Sequence, residues 1–313
     1  MLGNAMDERK EYFCYTNRRN IDWHVHTTAS DGRLTPKAVV KKAKERGLEE
    51  IAITDHDAIE GIAEAIKEGK KIGVKVIPGV ELTCYENWGK RRVEIHIKGL
   101  DIDFRNKKLR GVLKKAKLAR INRAKLSIEK LSKLGYEISW KRVRSLSKGV
   151  VGRPHVAAAV MESEKNKDKL KRDFKLDHEP IMHDVFSNLL SKGKPAYVEK
   201  MSISLKEAIK LIHRAGGLAD LSHPGGEKTF TPNIRISKIR EYKKYGLDAV
   251  EVYYAYHTEE QIRHFAKIAK KLDLVATGGT DYHGETTRSP EKYQNKKNEL
   301  GKGFGNLEKY WKE

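Results

Sequence analysis

Residues 21–57, IDWHVHTTASDGRLTPKAVVKKAKERGLEEIAITDHD, contain the pattern that decides the fold. A short β-rich run, Ile21 to Val25, is followed by a polar loop, and an amphipathic stretch then leads to a second β-rich run, Glu50 to Thr54. The dipeptide Thr35-Pro36 is typical of a helix N-terminus, and Gly47 is typical of a helix end. This stretch therefore predicts a β-α-β unit.

The same alternation recurs along the chain. Seven β-rich runs can be counted, most of them flanked by stretches with apolar residues at helical spacing. They are Ile21 to Val25, Glu50 to Thr54, Val74 to Val80, Arg92 to Gly99, Leu218 to Ser222, Asp248 to Tyr253 and Leu274 to Gly278. Repeated βα units predict an α/β fold around a parallel sheet or barrel.

Two capping boxes support this prediction. Ser204 with Glu207, and Thr258 with Gln261, have the spacing in which a hydroxyl and an acidic or amide side chain satisfy backbone N–H groups at a helix start. We expect helices that run from these positions to Gly216 and to Leu272.

The rhythm breaks between the fourth and fifth runs, where residues 104–201 are expected to form basic helices joined by loops. The apolar spacing from Leu109 to Leu134 predicts an amphipathic helix that Gly135 ends. Insertions at the ends of barrel strands commonly form substrate-specific caps. The predicted organisation is an N-terminal extension (1–20), a barrel domain (21–103 and 202–284), an inserted helical cap (104–201) and an irregular C-terminal tail (285–313).

Length and composition exclude several classes of protein. The 313 residues, 38% of them hydrophobic and 34% charged, can bury one large core with a modest inserted subdomain. No apolar stretch approaches the roughly 20 residues that span a bilayer, and the first residues lack a secretory signal, so we expect a cytoplasmic protein. Cys14 and Cys84 are too few for a disulfide framework.

Positive charge is concentrated in one part of the chain. Of the net charge of +21, the segment from Arg105 to Lys200 supplies 16, since it holds 26 basic and 10 acidic residues. Such a field attracts polyanions, which favours a nucleic acid or another phosphorylated partner. Lysine-rich surfaces also arise from solubility or growth at high temperature, and the charge by itself leaves that alternative open.

Histidine and carboxylate residues stand within or just after the predicted strands. In a parallel barrel the carboxyl ends of the strands meet at one face, so residues far apart in sequence come together there. The residues are His24, His26, Asp31, Asp55, His56, Asp57, Glu81, His96, His223, Glu251, Asp281 and His283.

This set of residues predicts a metal centre. Histidine and carboxylate without cysteine is the ligand set of hydrolytic Zn²⁺, Mn²⁺ or Fe²⁺ sites, and the number of candidates indicates two or three ions. His24 and His26 face the same side of a strand and can hold one ion together. Asp281 and His283 repeat this spacing, and Glu81 has two oxygens with which to bridge two ions.

Six ordered motifs carry a family resemblance. HVHTTASDG (24–32), ITDHD (53–57), PGVEL (78–82), GRPH (152–155), SHPG (222–225) and GTDYHG (279–284) resemble those of the PHP, or polymerase and histidinol phosphatase, superfamily. The likeness is greatest to a branch of metal-dependent phosphoesterases that act on nucleoside 3′,5′-bisphosphates and on the 5′ ends of short RNAs. It implies a distorted (β/α)7 barrel with a helical, basic insertion, and Mn²⁺ in preference to Zn²⁺ or Fe²⁺.

The resemblance also implies a ligand set for each ion. One ion would be held by His24, His26, Glu81 and Asp281. A second would share Glu81 and take His223, with a further ligand that is either His96 or His155. A third would take Asp31, His56 and His283.

Several residues keep two interpretations. His96 is either a ligand or a buried histidine bonded to backbone, and Glu251 is either functional or a bystander at a strand end. For Asp55 and Asp57 we favour a role in orienting neighbouring ligands. Arg153 either forms a surface ion pair or binds substrate phosphate, which a guanidinium fork matches well, and His155 is either a ligand or a second phosphate donor.

The predicted function is hydrolysis of a phosphate ester of a nucleotide, or of a short oligonucleotide end, by metal-activated water. Asp281 or His283 would accept the proton of that water, and His223 or His155 would protonate the leaving oxygen. The alternatives are an exonuclease or cyclic phosphodiesterase acting on a diester, and a nucleic-acid-binding module with a structural metal site. Protein partners cannot be assigned from the sequence.

Overall fold

The computed structural model describes residues 8–13, 20–147, 149–199, 203–226, 233–284 and residue 300. Most of the predicted N-terminal extension and nearly all of the predicted tail lie outside these residues. The described residues fall into two compact units. One comprises those up to Val112 and from Ile203 onward, and the other comprises Leu113 to Glu199, which lie inside the predicted insertion.

The regular elements alternate along the barrel unit. Residues 8–12 are helical and precede the first strand. The elements that follow are β1 (Ile21–Val25), α1 (Pro36–Glu45), β2 (Glu50–Ile53), α2 (Ile62–Ile72), β3 (Lys75–Trp88), β4 (Arg91–Leu100), α3 (Lys107–Lys133), α4 (Trp140–Leu146), α5 (Arg153–Met161), α6 (Glu164–Phe174), α7 (Met182–Val185), β5 (Ile203–Ser204), α8 (Leu205–Arg214), β6 (Leu218–Leu221), α9 (Ile236–Tyr245), β7 (Ala249–Tyr254), α10 (Glu259–Lys271) and β8 (Val275–Gly279).

Seven strands form a nearly closed barrel in the order β1-β2-β3-β4-β6-β7-β8, while the short β5 pairs with β3. The ends of this path meet at β1 and the segment after β8, where the Tyr282 carbonyl accepts from the His26 N–H at 2.9 Å and the Tyr282 N–H donates to the His24 carbonyl at 3.2 Å. The predicted α/β barrel of seven strands is therefore confirmed.

The fourth strand runs against the expected direction. Only Gly89 and Lys90 separate β3 from β4, and so short a connection joins antiparallel strands. β4 is antiparallel to β6 as well, whereas the other neighbouring pairs along the barrel are parallel. The expectation of a wholly parallel sheet is wrong at this strand, because the sequence pattern did not reveal that β3 extends to Trp88.

The predicted helix starts are confirmed. The Thr35 hydroxyl accepts from the Ala38 N–H at the start of α1, and Ser204 and Thr258 form the capping boxes of α8 and α10. These helices bury their apolar faces, for example through Ile209 of α8 and Phe265 of α10. The caps and the apolar stripes thus fix helices on the outside of the sheet.

The described residues between 113 and 199 are mainly helical and have a core of their own. The carboxyl-terminal part of α3 and helices α4 to α7 contribute buried apolar side chains to it, including Leu131, Val143, Val160, Leu170 and Val185. A π-helical turn, Phe186–Leu190, follows α7. Within the described part of the chain, every helix is too short or too polar to cross a bilayer.

A close approach at Gly279 generates the first prediction. A Cβ atom at Gly279 would lie 2.2 Å from the His24 Cβ and 2.6 Å from the His24 backbone nitrogen. We expect Gly279→Ala to lower the free energy of unfolding by about 1–3 kcal/mol or more, since β8 must move away from β1. Urea denaturation followed by circular dichroism measures this.

The matched control is Gly111→Ala within α3, where a Cβ atom would meet nothing within 4 Å. Alanine is a better helix former than glycine, so this variant is expected to gain roughly 0.5–1 kcal/mol. Equal stabilities of the two variants would contradict the assigned packing of β8 on β1.

Candidate metal centre

The carboxylate of Glu81, on β3, lies at the centre of the candidate site. Ring nitrogens of five histidines lie 3.0–3.4 Å from its two oxygens: His24, His26, His56, His96 and His223. These histidines come from β1 and the loop after it, the segments after β2 and β6, and the middle of β4. Residues distant in sequence therefore converge on one buried carboxylate.

Three overlapping groups of side chains have the spacing of metal ligands. In each group the candidate ligand atoms lie within 4.8 Å of one another. The groups are His24, His26, Glu81 and Asp281; then His26, Asp31, His56 and His283; and then His56, Glu81 and His96. Since Glu81, His26 and His56 each belong to two groups, neighbouring ions would share ligands.

Unsatisfied buried atoms test whether these residues fit metal ions. Among the described residues, a group of buried side-chain atoms at this site has no hydrogen bond of acceptable geometry: Nε2 of His24, both ring nitrogens of His26, Oδ1 of Asp31, Nδ1 of His56, both oxygens of Glu81, Nδ1 of His96 and Oδ1 of Asp281. Unsatisfied buried polar atoms are unfavourable and rare in proteins. Their convergence on one point fits divalent cations, which bind such lone pairs.

Mutual electrostatics shift the pKa values of the cluster. Burial opposes the charged form of His24, but the carboxylates of Glu251, Glu81 and Asp281 raise its pKa to about 9. Burial likewise opposes the charge of His96, and Glu81 and Glu94 raise its pKa to about 10. The surrounding histidines hold the pKa of Glu81 well below its usual range despite burial. The Glu81 carboxylate is therefore ionised, and a buried anion of this kind requires a positive charge close to it.

Aspartates orient the loops that carry the candidate ligands. Asp22 accepts from the N–H of Thr280 at 2.9 Å, which fixes the end of β8 against β1. Asp55 accepts from the N–H of Thr27 at 2.7 Å and from the Ser30 hydroxyl at 2.6 Å. The Asp57 N–H donates to the Glu81 carbonyl at 2.9 Å. Oδ1 of Asp57 accepts from the Thr83 N–H at 3.0 Å. These contacts hold the loops beside the candidate ligands, and a role of Asp55 and Asp57 in orienting the ligands themselves stays a prediction.

Two candidate ligands lie on strained backbone. His223 has a φ of 32° and Asp281 a φ of 55°, in the left-handed region that residues other than glycine seldom adopt. The His223 N–H donates to Oε2 of Glu251 at 2.7 Å, and the Tyr254 hydroxyl lies 3.3 Å from Oδ2 of Asp281. Such conformations persist where the surroundings enforce them, and they cluster at functional sites.

The sequence did not single out Lys98 and Asp220, and it left Glu251 open as a bystander. Glu251 is fully buried, and its Oε1 lies 2.9 Å from Nδ1 of His24. Lys98 and Asp220 are also fully buried, and Lys98 contacts both acids. A signal was available, because Lys98 follows His96 by two positions on a strand and so faces the same side.

His96 and His155, the two alternatives for the last ligand of the second ion, belong to different units of the chain. His96 lies in the barrel unit with Nδ1 3.4 Å from Glu81. His155 and Arg153 belong to the other compact unit, at the start of α5. There Nδ1 of His155 accepts from the Gly152 N–H at 3.0 Å, and the Arg153 guanidinium carbon lies 5.9 Å from the Phe186 ring centre. The roles assigned to Arg153 and His155 stay predictions.

The barrel and the histidine and carboxylate cluster at its strand ends are typical of metal-dependent hydrolases. Comparisons with known proteins show the class to be hydrolases of phosphoric esters. The model of the PHP domain matches residues 22–305. The chain belongs to the PHP domain family. Relatives named as an exoribonuclease, a phosphatase and a phosphodiesterase support an enzyme over the non-enzymatic binding module.

Similar proteins come from several bacteria. A 5′-3′ exoribonuclease of Haemophilus influenzae is 33% identical over 85% of this chain and 90% of its own length. A 3′,5′-nucleoside bisphosphate phosphatase of Chromobacterium violaceum is 32% identical over 84% and 87%. The crystal structure of a metal-dependent phosphoesterase from Bifidobacterium adolescentis has a TM-score of 0.74 and 28% identity, and the match covers 88% of this chain and 91% of that one.

We predict that the protein binds at least two divalent ions per chain. Three overlapping ligand groups cannot all be satisfied by one ion. Chelation should abolish hydrolysis, and Mn²⁺ should restore it. Elemental analysis of active protein measures the metal content, and fewer than two ions per active chain would contradict this prediction.

Metal affinity should rise with pH. Without an ion, the raised pKa values of His24 and His96 keep both rings protonated near neutrality, so an ion must displace protons to bind. We expect the apparent affinity for Mn²⁺ to increase up to about tenfold per pH unit for each proton displaced, between pH 6.5 and 8.5. Calorimetric titration in buffers of different ionisation enthalpy counts the released protons, and a pH-independent affinity without proton release would refute this.

Proposed function

We propose that this hydrolase removes phosphate from a nucleotide, such as a nucleoside 3′,5′-bisphosphate, or from the end of a short oligonucleotide. The single observation that carries the proposal is the convergence of five imidazoles on the buried Glu81 carboxylate. The relatives named as a bisphosphate phosphatase and as an exoribonuclease support the substrate class.

We assign two or three divalent ions, Mn²⁺ in preference to Zn²⁺ or Fe²⁺, to this cluster. His24, His26, Glu81 and Asp281 would hold the first, and Asp31, His56 and His283 would hold another. Glu81, His223 and either His96 or His155 would hold the remaining one. Bound there, the ions would lower the pKa of water and offset the negative charge that develops on the phosphoryl oxygens.

His283 is the candidate for proton transfer at the exposed side of the cluster. Its side chain is 35% exposed, whereas those of His24 and His26 are fully buried. Nδ1 of His283 lies 2.8 Å from the Asp281 carbonyl, which can only accept, so this nitrogen donates and Nε2 alone remains, either to bind an ion or, where no ion occupies it, to accept a proton. His223, with Nε2 3.3 Å from Glu81, is the candidate donor to the leaving oxygen.

The basic insertion is proposed to select the substrate. We place this cap at residues 104–201, and its charge surplus attracts molecules with several phosphates. Arg153 would bind a phosphate that is not cleaved, with a fork of N–H donors that matches phosphate oxygens. We retain hydrolysis of a diester, as in an exonuclease, as the second candidate, since one relative is named for it.

A phosphate-release screen tests the proposed function directly. Nucleoside 3′,5′-bisphosphates, nucleoside 5′-monophosphates, cyclic nucleotides, sugar phosphates and short RNAs with a 5′ phosphate should be compared with Mn²⁺ present. Chromatography of the products accompanies the phosphate assay, because hydrolysis of a diester releases no free phosphate. Release from bisphosphates or RNA ends, well above that from sugar phosphates, is expected. Preference for a substrate without a nucleoside would overturn the proposal.

Removing single ligands should abolish turnover. His26→Ala, Glu81→Ala and Asp281→Ala are each expected to lower turnover by at least about a hundredfold, since each removes a ligand of the proposed first ion. The matched control is His264→Ala, at an exposed histidine of α10, which should retain the activity of the wild type. Near-normal rates in the folded ligand variants would rule out the proposed centre.

Arg153→Ala should raise KM for a nucleoside bisphosphate far more than for p-nitrophenyl phosphate, which lacks a second phosphate. Affinity for the substrate should also fall as salt rises, more steeply for an oligonucleotide than for a mononucleotide, because more counterions are released. Steady-state kinetics at two salt concentrations measure both effects. Equal effects on both substrates, without salt dependence, would contradict substrate binding by the basic segment. Its positive charge would then be explained by solubility or thermostability.

A further inference from the structure

A fully buried lysine lies beneath the metal centre. Lys98 lies near the carboxyl end of β4, where the strand register places it opposite Glu81 of β3 and Asp220 of β6. Its side chain is 0% exposed. Lysine is almost never buried in this way unless it is paired, because desolvation of the ammonium group is highly unfavourable.

Two buried carboxylates balance the charge of Lys98. Nζ lies 3.2 Å from Oδ2 of Asp220 and is in direct contact with Oε1 of Glu251. Asp220 is held in turn by the Thr277 hydroxyl, which donates to it at 2.7 Å. The lysine is therefore fixed on one side by Asp220 and aimed at Glu251 on the other.

Glu251 connects the lysine to two candidate ligands. The oxygen that contacts Lys98 also lies 2.9 Å from Nδ1 of His24, and the second oxygen accepts the His223 N–H at 2.7 Å. Glu251 is thus held between the ammonium group of Lys98 and the ring of His24, and its pairing with a buried ammonium group keeps it a carboxylate. An ionised carboxylate only accepts, so Nδ1 of His24 must donate and Nε2 is directed at Glu81 and Asp281.

We propose that Lys98 is a positioning residue of the metal centre. Through Glu251 it fixes the ring orientation and tautomer of His24 and the strained backbone of His223, and it thereby sets the affinity of the centre for divalent ions. The residues that support a metal-binding histidine in this way determine affinity in other metalloproteins. The inference rests on the metal centre proposed above. It adds that the ion pair between Lys98 and Glu251 contributes to metal binding at that centre.

The experiment measures binding of Mn²⁺ alone, by electron paramagnetic resonance of the free ion, to full-length protein stripped with a chelator. Lys98→Met keeps an unbranched side chain, one atom shorter than lysine, and removes the charge, and it should weaken the tightest Mn²⁺ site by about 10–100-fold. Lys267→Met, at an exposed position of α10, is the matched control and should bind as the wild type does. Thermal unfolding of each stripped protein reports separately on stability.

A double-variant cycle tests whether Lys98 acts through Glu251. Glu251→Gln should weaken Mn²⁺ binding, and Lys98→Met combined with Glu251→Gln should be no weaker than Glu251→Gln alone. This comparison also serves if Lys98→Met alone does not fold, because the double variant leaves fewer unbalanced buried charges. Effects that multiply in the double variant would overturn the inference, as would Mn²⁺ affinity within twofold of the wild type in Lys98→Met.

The outcomes separate this inference from the proposed function. If the wild type itself fails to bind Mn²⁺, the metal centre is wrong. If the wild type binds Mn²⁺ and Lys98→Met binds equally well but unfolds at a lower temperature, the lysine is a structural residue and the centre stands.

Discussion

The carboxylate of Glu81 is fully buried, and five ring nitrogens approach its two oxygens within 3.4 Å. Buried charge is tolerated only where opposite charge and hydrogen bonds compensate for lost hydration. Most of the ring nitrogens here face the carboxylate without a hydrogen bond of good geometry, so the compensation must come from cations or from protons. The strands that converge on Glu81 are therefore arranged to hold positive charge at one point.

Local chemistry made most of the fold predictable from the sequence. The hydroxyl of Thr35 and the capping boxes at Ser204 and Thr258 act within a few residues, so their effect can be predicted from the sequence. The direction of β4 was missed because it depends on how far β3 extends. Residues 81–88 combine polar and apolar side chains on a strand that continues beyond the predicted end at Val80, and the turn at Gly89-Lys90 lacks the usual asparagine-glycine signal.

Candidate ligands were easier to predict than the residues that support them. Histidines and acids at strand ends can be recognised by type and position, and the structure brings His24, His26, His56, Glu81, His223 and Asp281 together. Lys98 shares a strand face with His96, but its residue type gave no reason to single it out, because lysine is usually exposed and only burial makes this one informative. Its partners Asp220 and Glu251 are 122 and 153 residues away in sequence, and nothing local indicates the contact.

The ionisable groups are distributed unevenly between the two units. Apart from His155, the candidate ligands belong to the barrel unit, together with the buried Lys98, Asp220 and Glu251 that balance one another beneath them. Most of the surplus positive charge belongs to residues 105–200, which contribute only His155 to the proposed ligands. If that segment binds the substrate, as proposed above, substitutions in it would change the attraction for phosphates while the candidate ligands in the barrel unit keep their identity. A family whose members are named for a bisphosphate phosphatase and for an exoribonuclease is consistent with this separation of chemistry from substrate selection.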